Sequence, residues 1–283
     1  MSETKRNEYA SEANGVLSNL LASFNSRDVQ AHAALIERVK DALNCDDLSV
    51  IALQFGGSVA KHTYVDGLSD VDMLVQLEHS EHLDQTPEEV KEIFEGQLSE
   101  KFGSANVSVG KLAITVRFDD SELQLLPAIR RGDSIVIADA TGGEWSRIDP
   151  KRFTQILTRV NGENAGKVVP VVKLAKAIVG ELPERQRISG YHAESLAVKV
   201  FRDYDGPKTL KDMLRHYFEA SKDAVLSPIR DRTGQSVHVD EYLGRERSLE
   251  RRVVSDAFDR IARRMAAADS SVDASVWGGL FGG

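Results

Sequence analysis

The chain has 283 residues, is 41% hydrophobic and 28% charged, and carries a net charge of −8, the composition of an ordinary globular protein with one large or two small domains. No apolar run approaches the roughly 18 residues of a membrane span, and residues 1–15 lack the apolar stretch of a secretory signal. The acidic balance argues against a dedicated duplex nucleic-acid binder. The single cysteine, Cys45, excludes an intramolecular disulfide and a cysteine-rich zinc site. It reads as a small core residue, and the expected setting is a reducing cytoplasm with no membrane partner.

Apolar spacing predicts a helix over about 4–24 (Tyr9, Val16, Leu17, Leu20, Leu21) and another over about 28–44. Residues 48–55 read as a β-rich run and 71–77 alternate as a strand. Thr86 before Pro87, with acids behind it, predicts a capped helix over 86–102. Short strand candidates follow in "ANVSVG", "LAITVRF", "SELQLLPAI" and "SIVIAD". After the "TGGEWSRIDP" stretch (141–150), helical patterns dominate at about 150–161, 166–180, 190–203, 208–222 and 246–268. The expected class is α+β: a mixed sheet with flanking helices over 1–145, a helical domain over 146–268, and a flexible tail over 269–283.

Chemistry concentrates in "GGSVAKHTYVDGLSDVDMLV" (56–75). Asp70 and Asp72 are two apart on a predicted strand, so both carboxylates face one side and Val71 and Met73 the other. Two such carboxylates repel unless a cation joins them. Mg²⁺ suits the pair, because it takes hard oxygen ligands and commonly binds one or two carboxylates plus substrate phosphates. Gly56 and Gly57 let backbone approach a ligand, and Ser58 adds a hydroxyl.

The stretch 55–75 resembles the nucleotidyltransferase signature of the DNA polymerase β-like superfamily: strand, Gly-Ser, loop, Asp-x-Asp, strand. "LQLLPAI" (123–129) resembles the superfamily's third-acid strand. Residues 142–179, "SGYHAESLAVKVF" (189–201) and "DRTGQSVHVDEYLG" (231–244) resemble segments of the bacterial cGAS-like enzymes, the CD-NTases. The resemblance implies a polymerase β-like core followed by an OAS-like helical domain. It implies an enzyme dependent on Mg²⁺ or Mn²⁺ that joins nucleoside triphosphates, ATP first with GTP, CTP and UTP as further candidates. The product would be a cyclic or short linear oligonucleotide second messenger, with pyrophosphate released, that informs a downstream effector in anti-phage (CBASS-type) signalling. Asp70 and Asp72 would be catalytic and hold the metal; Gly57 and Ser58 would cradle the triphosphate. Lys176 matches a triphosphate-contacting lysine and Tyr191 an aromatic residue that stacks on a base. Competing readings are a nucleotidyltransferase that modifies RNA or protein, and a catalytically degenerate nucleotide-binding protein.

Two positions depart from the family pattern. The third-acid position holds Gln124, a poor Mg²⁺ ligand, and Glu122 on the same strand face is the candidate replacement. The family's serine before the aromatic residue is Gly190 here, and Ser189 is its candidate substitute. Lys61 and His62 read as exposed loop, and His192 and Glu194 as helix packing and surface charge. The chain ends "WGGLFGG", and a terminal glycine threads easily through a narrow channel. The expected partner is an E1–E2-like conjugating protein that grips Trp277, Leu280 and Phe281 and activates the Gly283 carboxylate; the alternative is a tail that folds these side chains back on the helical domain.

Overall fold

The computed structural model describes residues 2–24, 29–43, 50–55, 57–65, 71–78, 84–118, 121–139, 141–233 and 238–282. Two helices, α1 (Glu3–Phe24) and α2 (Val29–Leu43), precede β1 (Val50–Phe55), a one-turn helix α3 (Gly57–Ala60) and β2 (Val71–Glu78). Then come α4 (Pro87–Phe102), β3 (Val107–Val109), β4 (Ile114–Phe118), β5 (Ser121–Arg131), β6 (Ser134–Ala138) and β7 (Trp145–Ile148). The helical half holds α5 (Pro150–Glu163), α6 (Val168–Gly180), α7 (Gly190–Phe201), α8 (Leu210–Ala224), α9 (Leu249–Ser271) and α10 (Ser275–Gly278). Cys45 falls outside the described residues.

Among the described residues seven strands form one mixed sheet in the order β1-β2-β5-β4-β3, with β6 on β5 and β7 on β6. Of these only β2 and β5 run parallel, with Asp72 opposite Gln124. The length of β5 makes this possible: its first half pairs with β4 and its second half with β6 along the same edge. β2 is buried on both faces, which explains its nearly continuous apolar run. Met73, Val75 and Leu77 join a core with Val39 and Leu43 of α2 and Phe94 and Leu98 of α4. Leu74 faces the other way, against Ala128 and Ile137, and Asp72 shares that face.

The helix starts follow their local chemistry. Thr86 accepts from the Glu89 N–H while the Glu89 carboxylate accepts from the Thr86 N–H, a full capping box ahead of Pro87. Asp149, Ser189, Thr209 and Ser248 cap α5, α7, α8 and α9 more simply, each side-chain oxygen accepting a first-turn N–H.

Three features depart from the sequence reading. The sheet runs on through β7 to Ile148, since Trp145–Ile148 pair with 135–138; the Gly-Gly pair is the turn of a hairpin rather than a link between domains. Helix α1 does not cover the sheet: Tyr9, Ala13 and Leu17 lie in the helical core. Residues 269–282 are folded rather than flexible. Trp277 is fully buried and Leu280 nearly so, and Phe281 packs on Phe24 with ring centroids 6.1 Å apart. Three large apolar side chains gain more from this core than from water. The Trp277 indole N–H donates to Tyr9 Oη at 2.9 Å, and the Tyr9 hydroxyl donates to Asp269 at 2.8 Å. Asp269 in turn accepts from Lys211 and Arg215. The two ends of the chain thus close on each other over α8 and α9. Trp277→Ala should lower unfolding free energy by about 3–5 kcal/mol, read as a fall in the denaturant midpoint; an unchanged midpoint would show that the closure contributes nothing.

Candidate active site

A cavity of about 350 Å³ opens between the sheet and the helical half. Gln54, Gly57, Asp72 and Gln124 line it from the sheet side, and Phe153 and Tyr191 from α5 and α7. Gly57 follows β1 with φ +46°, and a Cβ built on it would lie 1.5 Å from Asp72 Oδ2. Any side chain at 57 would therefore displace the carboxylate, so glycine is required here by close approach as well as by backbone conformation. The parallel register sets Gln124 beside Asp72, about 4.8 Å away across the ladder.

Of the predicted site residues, Gly57, Asp72, Gln124 and Tyr191 meet at this cavity. Asp70 and Gly283 lie outside the described residues. Ser58 is buried beneath the turn, where its carbonyl accepts from the Thr63 N–H at 2.9 Å, and its Oγ has no partner. Glu122 does not line the cavity; it accepts from Arg117 Nε at 2.8 Å in a half-exposed cross-strand pair. Ser189 uses its hydroxyl to cap α7, accepting from the His192 N–H. At Gly190 a Cβ would lie 3.3 Å from Lys176 Nζ, a tight contact with the end of a side chain.

Lys176 is not at the cavity wall either. Its ammonium donates to Glu194 Oε1 at 2.7 Å and to the Thr63 carbonyl at 3.1 Å. Lys61 pairs with the second oxygen of Glu194, and the Thr63 hydroxyl donates to the first. Glu194 is therefore no surface charge: it is almost fully buried, bridging the loop after α3 to α6 and α7. Burial alone would raise its carboxyl, but Lys61 and Lys176 hold it below its ordinary value of 4.5. Burial also draws the Lys176 ammonium below the ordinary lysine value, against the pull of Glu194.

Lys61 departs from the exposed-loop reading in a second way. It lines the cavity, and its ammonium sits 5.0 Å from the Tyr191 ring centroid and 5.3 Å from that of Phe153, in cation–π range. The two rings meet edge to face at 4.9 Å. The Tyr191 hydroxyl donates to Asp231 at 2.8 Å, and Asp231 also accepts from Thr233. An aromatic wall held in this way suits a planar base. His192 packs in the interior as expected, hydrogen-bonded through Nδ1 to the Tyr242 hydroxyl at 2.9 Å. Among the described residues no three His, Cys, Asp or Glu side chains cluster as a ready metal site. Among the described residues the cavity offers a hard cation the Asp72 carboxylate, and Mg²⁺ commonly binds one or two carboxylates while keeping water and substrate phosphate as its other ligands.

The site is thus a glycine turn pressed on a strand carboxylate beside an aromatic wall. A family model for the Second Messenger Oligonucleotide or Dinucleotide Synthetase domain (SMODS) matches residues 13–161, just over half of the chain, and the chain belongs to that family. The fold is that of the CD-NTases. It is similar to Escherichia coli MS115-1 CdnC with ATP (15% identity, TM-score 0.70, covering 100% of this chain and 98% of the other). It is also similar to Bradyrhizobium diazoefficiens CdnG in complex with GTP (16%, 0.72, 95% of each). A third likeness is to Vibrio cholerae DncV cyclic AMP-GMP synthase with a linear intermediate (10%, 0.62, 99% and 86%). No curated protein matches the chain in sequence. No described helix is long and apolar enough to cross a membrane.

Two outcomes follow. Glu194→Gln leaves two buried ammonium groups without their counter-charge and should cost about 3–5 kcal/mol at neutral pH. Because the folded carboxyl lies below 4.5, the pairing is complete above that pH and fades as pH falls beneath it; the variant should show a flatter acid limb in a plot of stability against pH. An equally steep limb would assign the acid sensitivity elsewhere. Gly57→Ala should abolish nucleotide turnover, and turnover at the wild-type rate would mean that the carboxylate position seen here is not the working one.

Proposed function

We propose that the chain joins nucleoside triphosphates, ATP among them, into a cyclic or short linear oligonucleotide. The 3′-hydroxyl of one nucleotide attacks the α-phosphate of another and pyrophosphate leaves. The observation that carries this reading is the contact between the Gly57 turn and the Asp72 carboxylate inside a cavity with an aromatic wall. Tyr191 and Phe153 receive a base on that wall, and Gly57 leaves room for phosphate next to Asp72. Asp72, together with Asp70, would hold Mg²⁺ or Mn²⁺, which when bound neutralises the triphosphate and activates the attacking oxygen. Lys176 acts from behind the wall: with Lys61 it leaves one positive charge in excess over Glu194, which favours an anion in the cavity. The product serves as a second messenger to a downstream effector in anti-phage defence of the CBASS type.

Gln124 supports a second reading, in which the protein binds nucleotides and turns them over weakly. An amide beside Asp72 removes a negative charge that the superfamily pattern supplies, and Glu122, paired with Arg117, does not replace it at the cavity. One assay separates the readings: the purified chain is incubated with labelled ATP, GTP, CTP and UTP and with Mg²⁺ or Mn²⁺. Phosphatase-resistant small oligonucleotides that vanish in Asp72→Asn are the expected result. Labelled RNA or protein, or binding without turnover, would overturn the synthase reading. In the same assay Tyr191→Ala should raise KM by about tenfold or more, as loss of a base stack implies.

A further inference from the structure

A second cavity, also about 350 Å³, lies on the other side of Phe153, between α5, α7 and the segment 228–232. Its lining carries four cations, Lys199, Arg202, Arg230 and Arg232, against one carboxylate, Asp203. In a chain of net charge −8 this is a concentration of the opposite sign. The side chains of Arg202, Arg230 and Arg232 make no hydrogen bond or ion pair among the described residues. Arg159, nearby on α5, has only a loose pair with Glu163 at 4.0 Å. Burial, and then the guanidinium groups of Arg202, Arg152 and Arg159, hold Arg232 below its ordinary value, so these like charges are close enough to feel one another. Like charges gathered without partners cost stability, and an anion would relieve that cost. The cavity also has a polar floor: Ser195 is more than nine-tenths buried and lines it, and its Oγ has no hydrogen-bond partner.

We propose that this second cavity is a binding site for a triphosphate group, separate from the nucleotidyl-transfer site. Guanidinium forks match phosphate oxygens two at a time, and Ser195 lines the floor beneath them. Three net positive charges in the lining answer the three to four negative charges of a triphosphate near pH 7. The volume lies within the range of small-ligand cavities, about 300–1,000 Å³, and the concave shape with a buried floor selects a compact anion over an extended backbone. Two sources carry this chemistry, a nucleoside triphosphate and an oligonucleotide with a 5′-triphosphate.

Calorimetric titration of the full chain with inorganic tripolyphosphate, without divalent cations, tests the site. Arg202→Gln/Arg232→Gln should weaken binding by about tenfold or more, with a thermal midpoint near that of the wild type. Asp72→Asn, in the other cavity, should leave this component unchanged. Parallel titrations with ATP and with a 5′-triphosphorylated dinucleotide then identify the source as the ligand whose binding loses most in the double variant. The proposal fails if the double variant binds tripolyphosphate as tightly as the wild type, if the component disappears in Asp72→Asn instead, or if the cluster captures long RNA but no tripolyphosphate.

Discussion

The buried Glu194 carboxylate is the constraint on which the site depends. It accepts from Lys176 of α6, pairs with Lys61 of the loop after α3, and receives the Thr63 hydroxyl. A buried carboxylate costs several kcal/mol of desolvation, and close pairing with good hydrogen bonds is what offsets it. The offset requires the sheet side and the helical side to meet in one arrangement, because the two lysines come from different halves of the fold. The consequence reaches the cavity directly: Lys61 is held where its ammonium touches both rings of the aromatic wall. Ser58 and Thr63, bonded backbone to backbone, hold the Gly57 turn one residue away from the same network. Glu194 thus sets the position of cation, turn and wall together without reaching the ligand space itself.

Much of the fold was legible because its signals are local. Thr86-Pro87 with Glu89 three residues beyond the cap specifies a helix start by hydrogen bonds that span one turn, and the alternation over 71–77 marks the strand β2. The elements that escaped depend on distant partners. β7 has no strong periodicity of its own and exists because residues 145–148 complete the edge of β6. The terminal segment 269–282 looked polar and loose because its partners, Tyr9 and Phe24, lie more than 250 positions away in the chain. A reading by local composition cannot pair them, whereas three large apolar residues in five positions were a signal for burial as much as for docking. With Trp277 and Leu280 in the core, those side chains are not available for a conjugating partner to grip.

The site was legible in its carboxylate and less so in its surroundings. Asp72, Gly57, Gln124 and Tyr191, singled out by spacing and family likeness, line one cavity. The roles given to charged residues were less secure, because a charge on a helix reads alike whether it faces water or a buried partner. Glu194 and Lys61 were read as solvated, and each is half of an internal ion pair. Glu122 illustrates the converse. It shares a strand face with Gln124, but Arg117 stands opposite it on β4, and a cross-strand partner of opposite charge takes it. Alternation fixes which face a side chain occupies and leaves open which neighbour it finds there.

Helix α7 shows how one element carries these functions together. Tyr191, Ser195, Lys199 and Arg202 recur at spacings of three and four, so they share one face of the helix. At about 1.5 Å per residue the stripe is about 17 Å long. Its first turn presents Tyr191 to the cavity beside Asp72, and its later turns and the following Arg202 present Ser195, Lys199 and the Arg202 guanidinium to the basic one. Glu194, beside the stripe, anchors the helix to the loop that carries Lys61. Phe153 of α5 closes the gap between the cavities and lines both. A ligand that drew in Arg202 would therefore press on the same helix, and against the same Phe153 ring, that form the aromatic wall of the first cavity.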